Sequence, residues 1–435
     1  MSFRKFVKMF IPTGLFKKIE PYGHLIEAII FNVIYGFPAR KLKVIGVTGT
    51  NGKTTTTFLI HRMLHEAGYK VGLNTTVAYG AGMDIKSQMH HMTSVPVPEF
   101  MRRLKELNKS GIEYLVLETT SQALAQYRVW GVKYHMAVMT NITHEHLDYH
   151  GSFENYRSAK VRMFEWANKN ISGLRAGVIN ADDENYEFFK SAIAHPLLYG
   201  EKNGDLRASE VKLSSNGVSY KAKLKDVEYD IKCKLSGMFN VYNSLAAVGC
   251  GVLLGLTKPQ IEQGIMALES VEGRMTSINE GQNFSVIVDY AHTPDSFEKL
   301  FEELRPVIKG KLIVLFGSAG RRDEAKRAIQ GQLAGKYADE IVLTEEDDRD
   351  IDGNEILKQI ASGAEREGKK VGENIHLILD RTEAINFALK IPKSKDDLVL
   401  LLGKGHEKTI ERADGEHPWN EIEVAHQELK NILGS

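Results

Sequence analysis

From Lys41 onward, short runs of β-branched and aliphatic residues alternate with longer stretches in which apolar residues recur at helical spacing. "KLKVIGVTG" reads as a buried strand and "GKTTTTFLIHRMLHEAG" as a helix closed by Gly68. "YKVGLNTT" follows as a strand, "VPVPEFMRRLKELNKSG" as a helix, and "IEYLVLETT" and "HMAVMTNI" as further strands. Such β–α alternation predicts a mostly parallel sheet covered by helices. Between Arg207 and Lys234 the period falls to two, as in "EVKLSSNGVSYKAKL", and Asn216-Gly217 is a hairpin signal, so an antiparallel patch is expected there. A second β–α series runs through "FSVIVDYAH", "GKLIVLFGSAG", "ADEIVLTEED", "NIHLILD" and "DLVLLLGKG", after a break in "VEGRMTSINEGQN". The pattern predicts an α/β chain in three parts. A helical segment covers 1–40, a P-loop nucleotide domain with a mostly parallel sheet covers 41–275, and a Rossmann-like, doubly wound α/β domain covers 276–435.

Composition narrows the partners. Lys+Arg and Asp+Glu number 56 each, so the chain has no global field for nucleic acid, and none is expected as a partner. Cys233 and Cys250 lie far apart in apolar or strand-like surroundings, which argues against a disulfide framework or cysteine metal site and for a reducing, cytoplasmic setting. The longest apolar stretch, "HLIEAIIFNVIYGF", contains Glu27 and Asn32 and falls short of the ~20 residues a bilayer crossing needs. The first eighteen residues differ from the rest. Arg4, Lys5, Lys8, Lys17 and Lys18 precede the first acid, Glu20, while Phe3, Phe6, Val7 and Phe10 fall at helical spacing. One reading is a docking helix for the body of the protein. The other is a basic amphipathic segment that touches an anionic membrane surface through residues 1–20. A monomer is the expected state.

The chemistry starts at "VTGTNGKTTT". A strand, a glycine turn and Gly52-Lys53-Thr54 opening a helix form the arrangement that cradles phosphates: backbone N–H groups point inward, Lys53 reaches the terminal phosphates, and the Thr54 hydroxyl can ligate Mg²⁺. Gly49, Thr50, Asn51 and Thr55 complete the loop. The full Walker spacing wants glycine where this chain has Val47, with Gly46 and Gly49 present instead, so the pattern is narrower than the general P-loop. A magnesium triphosphate also needs hard oxygen ligands from neighbouring strand tips. Glu118 ends "EYLVLE", and "NITHEHLDYHG" places His144, Glu145, His146 and Asp148 after another strand. A solvated strand end and a structural histidine cluster are the plainer readings of each taken alone.

"TGTNGKTTT", "TNITHEHLDYHG", "YRSAK", "VINADD", "GMFNVYNSLAA", "EGRM", "VDYAHTPDS" and "LLGKGHE" occur in this order, and together they resemble the Mur ligase family from Lys41 to about Leu433. The related folylpolyglutamate synthases share the loop but usually carry glycine after its lysine, where this chain has Thr54. The resemblance implies an ATP- and Mg²⁺-dependent amide ligase of peptidoglycan precursor synthesis, working through an acyl phosphate. Glu118 and His146 would be metal ligands with Thr54 nearby, and Lys160 of "YRSAK" matches a lysine that family members carbamylate. Asn240, Asn243, Arg274 and Asp289 match nucleotide-contacting positions. Arg274 falls at the inferred hinge, from which a cation would reach the phosphates on domain closure.

The same resemblance places Thr93, Ser94, Thr120, Gln126 and Arg128 against a UDP-N-acetylmuramoyl-dipeptide-like acceptor, with Gln122 departing from the usual histidine. Arg322, Gly403 and Glu407 match positions that hold the incoming amino acid. The stretch Glu346, Asp347, Asp348, Arg349 corresponds to one reading Asp-Asn-Pro-Arg in enzymes that add meso-diaminopimelate. Arg349 is retained and would fork a distal carboxylate, while the three acids favour a cationic side chain. The expected donor is therefore meso-diaminopimelate, lysine or another diamino acid. The family's N-terminal uridine-gripping domain cannot be built from forty residues, so the acceptor is expected to be either UDP-linked and held by its peptide and pyrophosphate ends, or lipid-linked. Other readings are a polyglutamate- or cyanophycin-type ligase, a small-molecule kinase or NTPase, and a catalytically silent binding relative.

Overall fold

The computed structural model describes residues 13–87, 95–143, 147–214, 217–306, 308–321 and 323–434. The chain forms two compact units, 1–269 and 270–435, each with its own sheet; the sequence placed that boundary at 275/276.

The first unit opens with α1 (Thr13–Tyr35), then β1 (Lys43–Thr48), α2 (Lys53–Glu66), β2 (Val71–Asn74), β3 (Ala78–Ala81), β4 (Asp84–Ser87) and α3 (Val97–Lys109). It continues through β5 (Tyr114–Glu118), α4 (Ser121–Ala125), β6 (Tyr134–Met139), α5 (Leu147–His150), α6 (Phe153–Lys169), β7 (Ala176–Asn180), α7 (Tyr186–Lys190) and β8 (His195–Gly200). The antiparallel strands β9 (Leu206–Ser214), β10 (Gly217–Leu224) and β11 (Val227–Cys233), then α8 (Met238–Leu253) and α9 (Lys258–Met266), complete it.

These strands form one sheet in the order β11-β10-β9-β8-β7-β6-β1-β5-β2-β3-β4. The central strands β2, β5, β1, β6, β7 and β8 run parallel. They are near-continuous apolar runs because helices cover both faces; in β1 every residue after Lys43 is buried. In β11 and the first half of β9 the side chains alternate between buried and exposed, as expected of a sheet with one wet face. Ser214 pairs with Gly217, so β9 and β10 meet as the expected hairpin, and Asn216 lies outside the described residues. The same topology explains how motifs far apart in sequence meet. Strands that run parallel deliver their C-terminal ends to one edge, so the loop after β1, Glu118 at the end of β5 and Thr140-Asn141 after β6 share that edge.

The second unit contains β12 (Thr276–Ile278), β13 (Ser285–Asp289), α10 (Pro294–Leu304), β14 (Leu312–Phe316), α11 (Ala325–Tyr337), β15 (Glu340–Leu343) and α12 (Gly353–Glu365). After these come β16 (Ile375–Leu377), α13 (Arg381–Lys390), β17 (Leu398–Leu402), the hairpin β18 (Thr409–Arg412) and β19 (Gly415–Pro418), and α14 (Glu421–Leu433). The sheet order is β12-β13-β17-β14-β15-β16, parallel except for β12. A fully buried Arg381 forks Glu421 at 2.7 and 2.8 Å and also donates to the carbonyls of Glu345 and Leu402. One cation thereby fastens α13 and α14 to the loops after β15 and β17, which carry candidate site residues.

Candidate active site

In the first unit the phosphate loop is held in shape by the segment after β6. Asn141 accepts from the backbone N–H groups of Thr50, through its carbonyl at 2.8 Å, and Asn51, through its side chain at 2.9 Å. The Thr140 hydroxyl donates to the Asn51 carbonyl at 2.6 Å, and the Thr50 hydroxyl meets the Tyr156 phenol at 2.9 Å. Asp183, from "VINADD", accepts from the backbone of Ile142 and so anchors the segment that anchors the loop. Helix α2 begins at Lys53, after Gly52 with φ 78°. A Cβ at Gly52 would stand 2.2 Å from the Asn243 side-chain oxygen, so only glycine lets α8 approach this closely. Asn243 in turn takes the Thr56 hydroxyl at 3.3 Å and donates to Asn240 at 2.9 Å. Asn240 and Asn243 are thus brought directly beside the loop. Lys53 donates to the Thr50 carbonyl at 2.7 Å, and Thr55 is buried in the first turn of α2.

The metal-suited pair forms at this edge. The Thr54 hydroxyl donates to one oxygen of Glu118 at 3.0 Å, and both groups are buried. Thr76, which the sequence reading did not single out, donates its backbone N–H to the same oxygen at 3.0 Å and its hydroxyl to the other at 2.9 Å. A hydroxyl and a carboxylate beside a helix N-terminus are hard oxygen donors suited to Mg²⁺. His146, with His144 and Glu145, lies outside the described residues, as does the side chain of Asp148. Thr76→Val is expected to lower turnover about tenfold, because Glu118 loses the hydrogen bond that fixes its orientation (about 1–2 kcal/mol). Titrating Mg²⁺ against rate checks it: a right-shifted curve is expected, and an unchanged one would dismiss the role.

Lys160 is 1% exposed; it donates to the Gly49 carbonyl and lies 4.6 Å from the centre of the Tyr156 ring. It is no surface lysine.

The expected acceptor residues divide. Thr120 caps α4 by accepting from the Ala123 N–H at 3.2 Å, so its hydroxyl has a local structural duty. Arg128 lines a small pocket with Glu118, Asn74 and Phe100, so the cation expected to meet the acceptor and the carboxylate expected to meet the metal border one cavity. Burial pushes the Tyr149 phenol up, opposed by a hydrogen bond with Gln126 and by the Arg128 charge. Tyr149 therefore joins Gln126 and Arg128, although only its place in "THEHLDYHG" hinted at it. Thr93 and Ser94 lie outside the described residues.

In the second unit, the loops after β13, β14, β15 and β17 gather at the sheet's carboxyl edge. Asp289 accepts from the backbone of Met275 and Ala291 at 2.8 Å each; burial pushes its carboxyl up, against the opposing charge of Arg274. Arg274 stacks over Tyr290 at 4.7 Å. Buried Lys404 pairs with Asp347 at 2.9 Å and Glu407 at 2.6 Å, so two expected contacts of the amino acid already share a cation. Burial pushes Asp348 up to about 6, with the neighbouring acids Glu345, Glu346 and Asp347 adding to the effect. Buried Glu346 has one side-chain oxygen with no hydrogen-bond partner among the described residues. That oxygen lies 2.8 Å from where a Cβ would stand at Gly403 (φ 100°), so any side chain there would crowd the carboxylate. Arg322 lies outside the described residues.

Arg349, expected to fork a distal carboxylate, has partners within the unit: its backbone is left-handed (φ 57°), its Nε donates to Glu411 of β18 at 2.7 Å and its Nη1 to the Gly320 carbonyl. A distal carboxylate would have to exchange with these partners.

Comparison with known proteins gives the same assignment along the chain. Residues 47–251 match the Mur ligase middle domain, and residues 273–405 match the Mur ligase glutamate ligase domain. A UDP-N-acetylmuramyl-tripeptide synthetase of Roseiflexus sp. is 38% identical over 95% of this chain and 83% of that protein. A UDP-N-acetylmuramoyl-L-alanyl-D-glutamate--2,6-diaminopimelate ligase 1 of Clostridium acetobutylicum is 35% identical over 97% and 85%. A solved structure of such a diaminopimelate ligase superposes with a TM-score of 0.65 at 27% identity, covering 91% of this chain and 79% of that one. Both units therefore carry the family's signature in the family's order, and the chain belongs to the Mur ligase family of ATP-dependent ligases.

Proposed function

We propose that this ligase adds a diamino acid to the free carboxylate of a UDP-N-acetylmuramoyl-dipeptide-like acceptor in peptidoglycan precursor synthesis, acting as a monomer in the cytoplasm. The observation that carries the reading is the Thr54–Glu118 pair at the mouth of the phosphate loop, in a chain that matches a tripeptide synthetase over 95% of its length. Amide formation from a carboxylate is uphill in water, so the acid is first activated. An acceptor carboxylate oxygen attacks the γ-phosphorus of ATP, ADP leaves, and an acyl phosphate forms. The amine nitrogen then attacks the carbonyl carbon, loses a proton, and inorganic phosphate departs with one former carboxylate oxygen.

Lys53 and the N-terminus of α2 bind and orient the triphosphate. Thr54 and Glu118, with His146, would hold Mg²⁺, which supplies neutralisation of phosphate charge when bound. Lys160 suits carbamylation: CO₂ addition replaces a buried ammonium with an anionic oxygen donor. Asn240, Asn243, Arg274 and Asp289 serve the nucleotide. Thr93, Ser94, Thr120, Gln126 and Arg128 serve the acceptor, joined by Tyr149. Glu346, Asp347, Asp348, Gly403 and Glu407, with Arg322, serve the incoming amino acid. The open carboxylate of Glu346 supports a donor that brings a second ammonium group.

An amino-acid screen for ADP release with UDP-muramoyl-dipeptide tests the proposal. Strong stimulation by meso-diaminopimelate or lysine is expected, with ¹⁸O passing from labelled acceptor carboxylate into phosphate. Stimulation by glutamate alone would move the assignment to a polyglutamate-type ligase, and release without any amino acid to an NTPase.

A further inference from the structure

Helix α1 carries two apolar faces. The inner one, with Ala28, Phe31 and Tyr35, packs into the first unit's core, and Asn32 donates to the Trp130 carbonyl at 2.9 Å. The outer one presents Tyr22, Ile26, Ile29, Ile30, Val33 and Ile34, each 38–64% exposed. Six of the eighteen exposed large hydrophobic residues among the described residues thus lie on this one helix, as a continuous stripe at i, i+4, i+7, i+8 spacing. Scattered exposed aliphatics are ordinary; a stripe of this size is the mark of a surface that meets something.

The charge around the stripe says what. Within α1, Lys17 and Lys18 precede the helix's first acid, Glu20. Beyond the C-terminal end of α1, Arg40, Lys133 and Lys169 line one surface pocket with Trp130, Trp166 and the 89% exposed Ile171, and no acid lines it. The helix's own acids, Glu20 and Glu27, are half-buried, and Glu27 is within 3.5 Å of His24. Aliphatic side chains for an acyl boundary and cations for phosphate groups make up the residue set of a peripheral bilayer contact. A second copy of the chain suits the surface less well, because a two-fold contact would bring like charges together. No described helix is long and apolar enough to cross a membrane, so the contact is one of lying on the surface.

We infer that the outer face of α1, with the Arg40–Lys133–Lys169 pocket beyond its end, docks on an anionic phospholipid bilayer. The pocket sits by the N-terminal end of β6 and the C-terminal end of α6, whereas the phosphate loop follows the C-terminal end of parallel β1. The cationic pocket therefore lies at the edge of the sheet opposite the phosphate loop. The inference does not depend on which acceptor or amino acid is used.

The test floats the full chain with vesicles of phosphatidylcholine, alone or mixed with phosphatidylglycerol. Flotation is expected only with the mixed vesicles and should weaken as salt rises. The variant Ile26→Gln/Ile30→Gln/Val33→Gln should lose about tenfold or more in partitioning, given the aliphatic area no longer withdrawn from water. Lys133→Gln/Lys169→Gln should also partition less, and both variants should keep the parent's thermal midpoint. Three results would overturn the inference: no flotation with anionic vesicles; variants that float like the parent, which would assign binding to residues 1–12; or a parent dimer that the aliphatic variant converts to monomer, which would make the occupant a second copy.

Discussion

Lys53→Ala is expected to abolish amino-acid-dependent ADP release, with kcat/KM falling by about 10³-fold or more, while the thermal midpoint stays within a few degrees of the parent. Lys53 opens α2, and its ammonium rests on the Thr50 carbonyl at 2.7 Å. That partner is the loop's own backbone, so the bond is easily exchanged for phosphate oxygens when ATP enters. The backbone N–H groups of the loop cannot replace it, because they carry partial charge whereas the phosphoryl group in flight carries several full negative charges. The fold should tolerate the change, since the loop is held independently by Asn141, Thr140 and Tyr156. Initial-rate measurements with each substrate varied in turn decide it. Activity within tenfold of the parent would remove Lys53 from the chemistry.

Glu346→Gln is the second large effect, and it separates binding from stability. A buried carboxylate with an open oxygen costs free energy in the unliganded protein, and an arriving ammonium offsets that cost. The amide keeps the shape and removes the charge. KM for the diamino acid is expected to rise about 10²-fold with kcat changed much less, and the thermal midpoint to stay level or rise. A residue that merely shaped the loop would behave oppositely, with a lower midpoint and little change in KM. Equal KM values for parent and variant would dismiss Glu346 as the ammonium's partner.

Arg349 shows where reading stops. It sits in a motif position that calls for a carboxylate clamp, and nothing in "EEDDRD" announces otherwise. Its occupation depends on Glu411, sixty-two residues away, and on the Gly320 carbonyl, which reach it only because β15 and the β18–β19 hairpin fold toward each other. Thr76 and Asn141 were missed for a related reason. Threonine after a strand and asparagine in a loop are common, and only their contacts with Glu118 and the phosphate loop distinguish them.

The sequence by itself determined the main elements and the family. Apolar periodicity placed β1, β2, β5, β6 and the β9–β11 patch of the first sheet and β13–β17 of the second, but not β3, β4, β7, β8, β12 or the β18–β19 hairpin. The glycine-lysine-threonine turn marked the phosphate loop, because these patterns express backbone geometry over a few neighbouring residues. Only the tertiary structure decided that Lys160 is buried, that Thr76 orients Glu118, that Lys404 holds Asp347 and Glu407 while Glu346 stays open, and that α1 leaves one apolar face uncovered. Each of those depends on which distant residue packing brings within hydrogen-bond reach or fails to bring over a surface, a property of the assembled sheet order rather than of any local run.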